Sequence, residues 1–201
     1  DNLALVETDP ARPGIAGIRV GDGTSAGAAM TATVNSALSG TVQLEKSDLG
    51  TLVLGGANTY TGGTRIAGGA LEVSADNNLG TAGGSVAFNG GTLRFGSSFD
   101  LGAVRAIEID AVGGTIDTQG FQTTITQNVT GDGGLTKDGS GILTLAGANS
   151  YAGGTSILAG TALVALTSGA ALAQGAAFSD GKIKIGVLND RSGIYADVAG
   201  E

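Results

Sequence analysis

The stretch "GANTYTGGTRIAGGALEV" at residues 56–73 returns as "GANSYAGGTSILAGTALV" at residues 147–164, 91 positions later. When residues 49–73 are aligned with residues 140–164, 13 of 25 positions are identical. Agreement at this level marks an internal repeat. Both copies have the same order of short apolar alternations and glycine-rich turns, so the repeat encodes a unit of architecture.

Each copy predicts three short strands that are separated by turns. In "GTLVLGG", Leu52 and Leu54 share one side, and this period of two is typical of a half-buried strand. The strands "TRI" and "ALEV" follow, with Ile66, Leu71 and Val73 predicted to point inward. Glycine and asparagine accept the positive φ angles of tight turns, and we expect the tyrosines to cover corners rather than bind a ligand. The predicted turn residues are Asn58, Tyr60, Gly62 and Gly63 in the first copy, and Asn149, Tyr151, Gly153 and Gly154 in the second.

Strands this short are more typical of a coil whose turns stack on each other than of a β-sandwich, which has longer strands. Residues 83–96 and 106–129 keep the same style between the copies. The predicted fold class is therefore all-β, a parallel β-helix (solenoid) of roughly six to eight coils. We divide the chain into N-terminal coils or a cap (1–45), the β-helix with both repeat copies (46–166), a linker-like segment (167–181) and a terminal strand that is a possible fusion junction (182–201).

The composition excludes several classes of function. Glycine takes 38 of 201 positions, but 41% of the residues are hydrophobic and alternate regularly, which argues against disorder. The net charge of −8 disfavours a nucleic-acid partner, which requires a basic surface. The chain has no cysteine, which excludes disulfides and thiolate zinc sites. We predict no cofactor, and no apolar run is long enough for a membrane span.

Catalysis has few candidate residues. Without histidine and cysteine, the usual nucleophile–base pairs are absent. Glu108, Asp110 and Asp117 face outward by strand parity, so a β-helix that cleaves polysaccharides with paired carboxylates is an alternative. We interpret them as solvated surface residues and predict that the chain is not an enzyme. "GDGGLTKDGSG" at 131–141 has the composition of a calcium-binding turn but lacks a nine-residue repeat, so we predict no metal site.

"KDGSGILTLAGANSYAGGTSILAG" at 137–160 resembles the repeat of autotransporter passenger domains, and the resemblance covers about residues 45–165. It implies a right-handed β-helix that a Gram-negative bacterium exports through an outer-membrane barrel, which is not in this chain. The resemblance also implies a cell-surface or extracellular stalk, adhesin or self-associating module, with host or cell-surface ligands or further copies as partners. One departure is the sequence of residues 161–164, which predicts a shift in the inward face of that strand.

Exposed strand edges at the two ends of a β-helix suggest a further alternative for the function. Identical chains with uncapped edges can stack end to end. We therefore keep a filament subunit as an alternative to the stalk or adhesin.

A second resemblance concerns the C-terminal residues. "KIKIGVLNDRSGIYADVAGE" at 182–201 resembles the start of a periplasmic substrate-binding protein of the branched-chain amino-acid transport type. The preceding residues 161–174 resemble the end of a signal peptide, with Ala171, Leu172 and Ala173 as its cleavage triplet. This resemblance is too short for a binding lobe, so it implies a junction and no binding role. The alternative is one more coil strand, with Ile183, Ile185 and Val187 inward.

Overall fold

The computed structural model describes residues 3–8 and 10–164, which form 18 short strands, numbered β1–β18 in chain order. All of their pairings are parallel, and the chain returns to the same side of the molecule about every 20 residues. Two 3-10 helices, Ser25–Ala29 and Asp76–Leu79, interrupt the coils, and this part of the chain has no α-helix. The predicted parallel β-helix is confirmed.

Each coil passes three faces in a fixed order, which we name faces I, II and III. Face I is a six-stranded sheet made of β2 (Ile15–Arg19), β5 (Gln43–Ser47), β7 (Thr64–Ile66), β9 (Val86–Phe88), β11 (Ile107–Ile109) and β14 (Val129–Gly131). Face II is a seven-stranded sheet made of β3 (Thr31–Val34), β6 (Thr51–Leu54), β8 (Ala70–Val73), β10 (Thr92–Phe95), β12 (Gly114–Asp117), β15 (Leu135–Asp138) and β17 (Thr155–Ile157). Face III contains β1 (Leu3–Ala4), β4 (Leu38–Ser39), β13 (Gln122–Ile125), β16 (Ile142–Leu145) and β18 (Thr161–Val164). The seven strands of face II mark six successive turns, within the predicted range.

The core consists of apolar columns that run along the axis of the helix. On face II, Leu52 stands in register with Leu71, and Leu71 with Leu93. All three are fully buried, as are Leu54 and Val73 in the neighbouring column. Each coil adds one side chain to every column. Because parallel strands lie about 4.8 Å apart, the aliphatic residues of successive coils pack directly on each other.

The second repeat copy is rotated by one face relative to the first. In the first copy, "TLVL" is β6 on face II and "TRI" is β7 on face I. In the second copy, the equivalent residues form β16 on face III and β17 on face II. The offset of 91 residues is therefore four coils plus one side of the next coil. The repeat thus prescribes a corner and its flanking strands, and this chain places it at two different positions around the coil.

The inward face of β18 does not shift, so that prediction was wrong. Ala162 stands in register with Leu143, and Val164 with Leu145, so these two residues continue the inward columns. Leu163 points outward, where the first copy has Glu72, and it is 45% exposed. A shift of one residue would turn every side chain of the strand to the other face, and the pairing with β16 fixes the register against it.

Face III has no strand between β4 and β13, and side chains of the segment after β10 meet the free edge of β13. The backbone N–H of Gln122 donates to Ser98 Oγ at 3.1 Å, and that of Thr124 donates to Asp100 Oδ1 at 2.6 Å. These bonds satisfy the edge of β13. The predicted segments 167–181 and 182–201, and residues 165–174 of the signal-peptide resemblance, lie outside the residues that the structure describes. In the part that it describes, no helix has the length and apolar character needed to span a membrane.

Candidate functional site: the polar clamps of the repeat

Each repeat copy buries one lysine whose ammonium group donates to three backbone carbonyls. Lys46 and Lys137 are 91 residues apart, and neither side chain is exposed. Lys46 Nζ donates to the carbonyl oxygens of Ser47, Asp48 and Gly68, at 2.9, 2.8 and 3.0 Å. Lys137 Nζ donates to those of Asp138, Gly139 and Ala159, at 2.7, 2.6 and 3.1 Å. The acceptors occupy equivalent positions in the repeat, so the same lysine clamp is built twice.

The geometry of the lysine clamp matches the donors of an ammonium group. An ammonium has three N–H donors, and three carbonyls satisfy all of them. Burial lowers the pKa of Lys46 to about 8 and also lowers that of Lys137. A glycine beside each lysine leaves room for the clamp. Gly160 has a φ of +73°, and a Cβ atom there would lie 2.4 Å from the carbonyl oxygen of Gly139. Gly69, at the equivalent position, has a φ of +56°.

The repeated asparagines join successive coils at their corners. Asn58 Oδ1 accepts a hydrogen bond from the backbone N–H of Leu38 at 2.7 Å, and its amide nitrogen donates to the carbonyl of Asn78. Asn149 Oδ1 accepts from the backbone N–H of Val129 at 3.0 Å. Leu38 lies on face III and Val129 on face I, so these bonds also follow the rotation of the repeat.

The repeated tyrosines lie against the start of the next strand. Tyr60 is fully buried, and its hydroxyl lies 2.7 Å from Thr64 Oγ1. Tyr151 is partly buried and makes the same bond with Thr155. The glycine pairs Gly62–Gly63 and Gly153–Gly154 lie between tyrosine and threonine in the two copies, and their second glycines have φ angles of +80° and +73°. Burial raises the pKa of Tyr60 to about 12.

Ionisation of the Tyr60 hydroxyl group is expected to destabilise the fold at alkaline pH. Its pKa is 10.0 in the unfolded chain and about 12 in the fold, so its contribution is complete below pH 10 and is lost as the pH rises toward 12. The expected loss is about 3 kcal/mol. Denaturant unfolding at a series of pH values checks this. Tyr60→Phe should show a smaller loss of stability across this window than the wild type. Equal losses would contradict the prediction, and Tyr151→Phe is the matched corner variant.

An ion pair between a fully buried arginine and a partly exposed aspartate ties the second 3-10 helix to the loop before β11. Arg105 is fully buried, and its Nε and Nη2 atoms donate to the two carboxylate oxygens of Asp76 at 2.9 and 3.0 Å. Its Nη1 atom donates to the carbonyls of Leu79 and Gly84 at 3.1 and 2.7 Å. Burial raises the pKa of Asp76, but its hydrogen bonds, with those from Arg105 the largest, outweigh this and hold the pKa below 3.8.

The structure places the three predicted carboxylates on two different faces of the helix. Glu108 and Asp110 lie on face I or at its end, whereas Asp117 lies on face II. Asp110 binds Arg65 at 3.0 Å, and Asp117 binds Arg94 at 3.0 Å. Arg94 and Asp117 lie on neighbouring coils, whereas Arg65 and Asp110 lie two coils apart, because β9 stands between β7 and β11.

The corner between faces I and II forms a groove of about 390 Å³. Its floor contains glycine corners from successive coils, at 113–114, 134 and 153–154. The rotation of the second repeat copy places Gly153 and Gly154 at this corner. Within residues 3–8 and 10–164, no group of three histidine, cysteine or acidic side chains is arranged to hold a metal ion.

Sequence reasoning missed the lysine clamps and the Asp76–Arg105 pair. The signal for the clamps was present, because Lys46 follows Leu44, and Lys137 follows Leu135, at the inward period of two. A charged residue at an inward position of both copies is the mark of a buried, fully bonded cation. No pattern in the sequence links Asp76 to Arg105, which are 29 residues apart.

Comparison with known proteins agrees with this architecture. The model of the passenger-associated-transport-repeat family matches residues 44–73 and 135–161, and each match contains one lysine clamp residue. The chain is also 52% identical over 96 residues to the adhesin BmaC autotransporter of Brucella suis biovar 1 (strain 1330). That alignment covers 48% of this chain and 3% of the relative. No solved structure matches the chain.

These findings confirm the resemblance of residues 45–165 to an autotransporter passenger domain. The chain carries two passenger-associated transport repeats, and its β-helix is of the passenger type. The same findings indicate a cell-surface or extracellular location in a Gram-negative bacterium. They leave the resemblance at 182–201 as a prediction.

Proposed function

We propose that this chain is a rod segment of a surface adhesin and that it contributes part of the adhesive surface. The observation that carries the proposal is the 52% identity over 96 residues to an autotransporter that is named an adhesin. Because the chain spans 3% of that relative, its own binding activity has to be tested directly.

The charges of the outer surface support a ligand that is not a polyanion. Every lysine and arginine in residues 3–8 and 10–164 is engaged. Five arginines form ion pairs and two lysines form the clamps, as follows: Arg12 with Glu45, Arg19 with Asp48, Arg65 with Glu45 and Asp110, Arg94 with Glu72 and Asp117, Arg105 with Asp76, and Lys46 and Lys137 with carbonyls. This supports the absence of nucleic acid among the partners, because phosphate binding requires available cations. The pairing of Asp110 and Asp117 also supports a non-enzymatic role.

We assign the contact surface to the outside of face II, which is the longest sheet. A row of small polar side chains runs along it in strand register, interrupted by one alanine: Thr31, Thr51, Ala70, Thr92, Thr115, Thr136 and Ser156. The next outward column carries the pairs of Arg94 with Glu72 and Asp117. Such a surface makes many weak polar contacts along a long face.

Binding of the labelled, purified chain to cultured epithelial cells tests the proposal. Saturable binding that is lost on unfolding is expected. A double variant with Thr115→Lys and Thr136→Lys should lower the apparent affinity about tenfold, equivalent to 1.4 kcal/mol. A double variant with Ala87→Lys and Thr130→Lys makes the same charge change on face I and should leave binding intact. Absence of binding by the folded chain would overturn the adhesive role and leave a stalk, and equal losses in the two pairs would overturn the assignment to face II.

A further inference from the structure

Asp138–Gly139, in the second lysine clamp, differs in geometry from the other described Asp–Gly steps. The chain has four such steps, at 22–23, 132–133, 138–139 and 180–181, of which the last lies outside the described residues. The N–H of Gly23 donates to Asp48 Oδ2 and that of Gly133 to the carbonyl of Ile109, both at 3.0 Å. The N–H of Gly139 instead donates to Oδ1 of Asp138 itself, at 2.7 Å.

We propose that Asp138–Gly139 is a self-modifying site, at which the main chain rearranges to isoaspartate through a succinimide. The nitrogen of Gly139 attacks Cγ of the protonated Asp138 carboxyl group, and a C–N bond forms. The hydroxyl oxygen of that group leaves as water, with its own proton and the amide proton. A second water then adds to one of the two ring carbonyls and breaks its bond to nitrogen. Opening at the main-chain carbonyl leaves Gly139 attached to Cγ, and no oxidant or reductant is required.

The first step is favoured because the reacting groups are already in contact. A distance of 2.7 Å from the Gly139 nitrogen to Oδ1 places the nitrogen beside the carboxyl carbon, so a rotation about the Cα–Cβ bond of Asp138 completes the approach. Gly139 has no side chain to obstruct ring closure, and it has a φ of +78°. In the other two described steps, the glycine N–H is held by a different acceptor.

The donors at the main-chain carbonyl of Asp138 favour the second step and determine its direction. Thr118 donates to this oxygen from its N–H at 3.0 Å and from Oγ1 at 3.2 Å, and Lys137 makes the shortest and only charged contact. Its Nζ atom donates to the main-chain carbonyl of Asp138 at 2.7 Å, and this carbonyl becomes one of the two in the succinimide ring. A donor at that oxygen stabilises the negative charge that develops when water adds there. Opening at this carbon gives isoaspartate, and the new α-carboxylate lies beside the ammonium group. The lysine clamp then gains an ion pair with a carboxylate in place of a hydrogen bond to an uncharged carbonyl.

The first lysine clamp provides a natural comparison within the same chain. Ser47 and Asp48 occupy the positions of Asp138 and Gly139. Lys46 donates to the two equivalent carbonyls, those of Ser47 and Asp48, but the side chain of Ser47 has no carboxyl group with which to form the ring. Of the two clamps, only the second can therefore be modified, and the modification adds one methylene to the main chain at the corner that follows β15.

Peptide mapping by mass spectrometry of the full chain, aged at 37 °C and mildly acidic pH, tests the proposal. Succinimide appears as the loss of one water, and isoaspartate is identified by electron-transfer fragmentation. In the folded chain, conversion at Asp138 is expected to exceed that at Asp22 and Asp132 about tenfold, because only its nitrogen is pre-positioned. In guanidinium, the three sites should convert at similar rates. Conversion at Asp138 that is no greater than at Asp22 and Asp132 in the folded chain would overturn the proposal.

Two variants separate the roles of the residues. Asp138→Glu keeps the charge but requires a six-membered ring, so conversion should stop while the fold is retained. Asp138→Asn forms the same succinimide by losing ammonia, which allows the ratio of isoaspartate to aspartate to be measured with Lys137 in place. That ratio should be higher in the folded chain than in guanidinium, and equal ratios would overturn the role of the donors at this carbonyl, Lys137 and Thr118.

Discussion

Asp76→Asn is expected to lower the free energy of unfolding by about 3–5 kcal/mol, because it leaves the Arg105 guanidinium buried without a counter-charge. Arg105 is fully buried and forms two parallel bonds with the Asp76 carboxylate. Its other acceptors are neutral carbonyls, such as those of Leu79 and Gly84. An asparagine of the same shape keeps at most one of the two carboxylate acceptors and removes the charge.

Urea unfolding followed by circular dichroism at neutral pH measures this loss. Asp132→Asn is the matched control, because Asp132 is exposed and the substitution makes the same charge change. The control should stay within about 0.5 kcal/mol of the wild type. Similar stabilities for Asp76→Asn and the control would show that the ion pair does not hold the 3-10 helix in place.

The same pair predicts an acid limit to stability. Because the pKa of Asp76 in the fold lies below its unfolded value of 3.8, the unfolded chain binds the proton first. The contribution of Asp76 is therefore present above about pH 3.8 and is lost as the pH falls through the lower folded pKa. Asp76→Asn should show a shallower fall in stability over this acid range than the wild type does.

Removal of either lysine clamp is expected to cost about 3 kcal/mol. Lys46→Met leaves three carbonyls without their donor, at about 1–3 kcal/mol each, and relief from burying a charge offsets part of this cost. Lys137→Met should behave in the same way. The clamps lie four coils apart, about 19 Å along the axis, so their effects should add. A combined loss of about 6 kcal/mol approaches the whole stability of an ordinary domain.

Urea unfolding of the single and double variants tests this expectation. Arg19→Met is the control, because the Arg19 side chain is 63% exposed and its loss should cost no more than about 1 kcal/mol. A pH series gives a second readout. The unfolded chain binds the Lys46 proton up to about pH 10.5 and the fold only up to about pH 8, so this group makes stability rise between those values. Lys46→Met should remove that rise. A loss of less than 1 kcal/mol in both single variants would contradict the account.

The strands and their inward residues could be predicted from the sequence because each depends on a local pattern. Leu52, Leu54, Ile66, Leu71 and Val73 alternate at period two between glycine corners, and all five are fully buried. The rotation of the second copy could not be predicted, because it depends on the summed lengths of four coils, and these vary with their loops. The shift expected for β18 was wrong for a related reason. Pairing with β16 determines which side chains point inward, and the hydrophobicity of Leu163 does not override it.

The buried polar groups show a second limit of sequence patterns. Lys46 and Lys137 occupy inward positions beside leucines, but their charge suggests the surface unless the three carbonyl acceptors are known. The Asp76–Arg105 pair joins segments that only the stacking of coils brings together. The outward carboxylates show the converse. Asp110 and Asp117 were predicted as exposed acids, and their arginine partners come from other coils that the sequence does not place beside them.

Cross-linking of engineered cysteines tests the rotated placement of the repeat most directly, and the absence of native cysteine makes the background clean. If the second copy lies one face on from the first, Ser156 of β17 stands in register with Thr136 of face II. If the copies occupied the same faces, Ser156 would instead stack on Thr130 of face I. The account predicts that a short thiol cross-linker joins Ser156→Cys to Thr136→Cys and fails with Thr130→Cys. Efficient cross-linking of Ser156→Cys to Thr130→Cys, but not to Thr136→Cys, would contradict it.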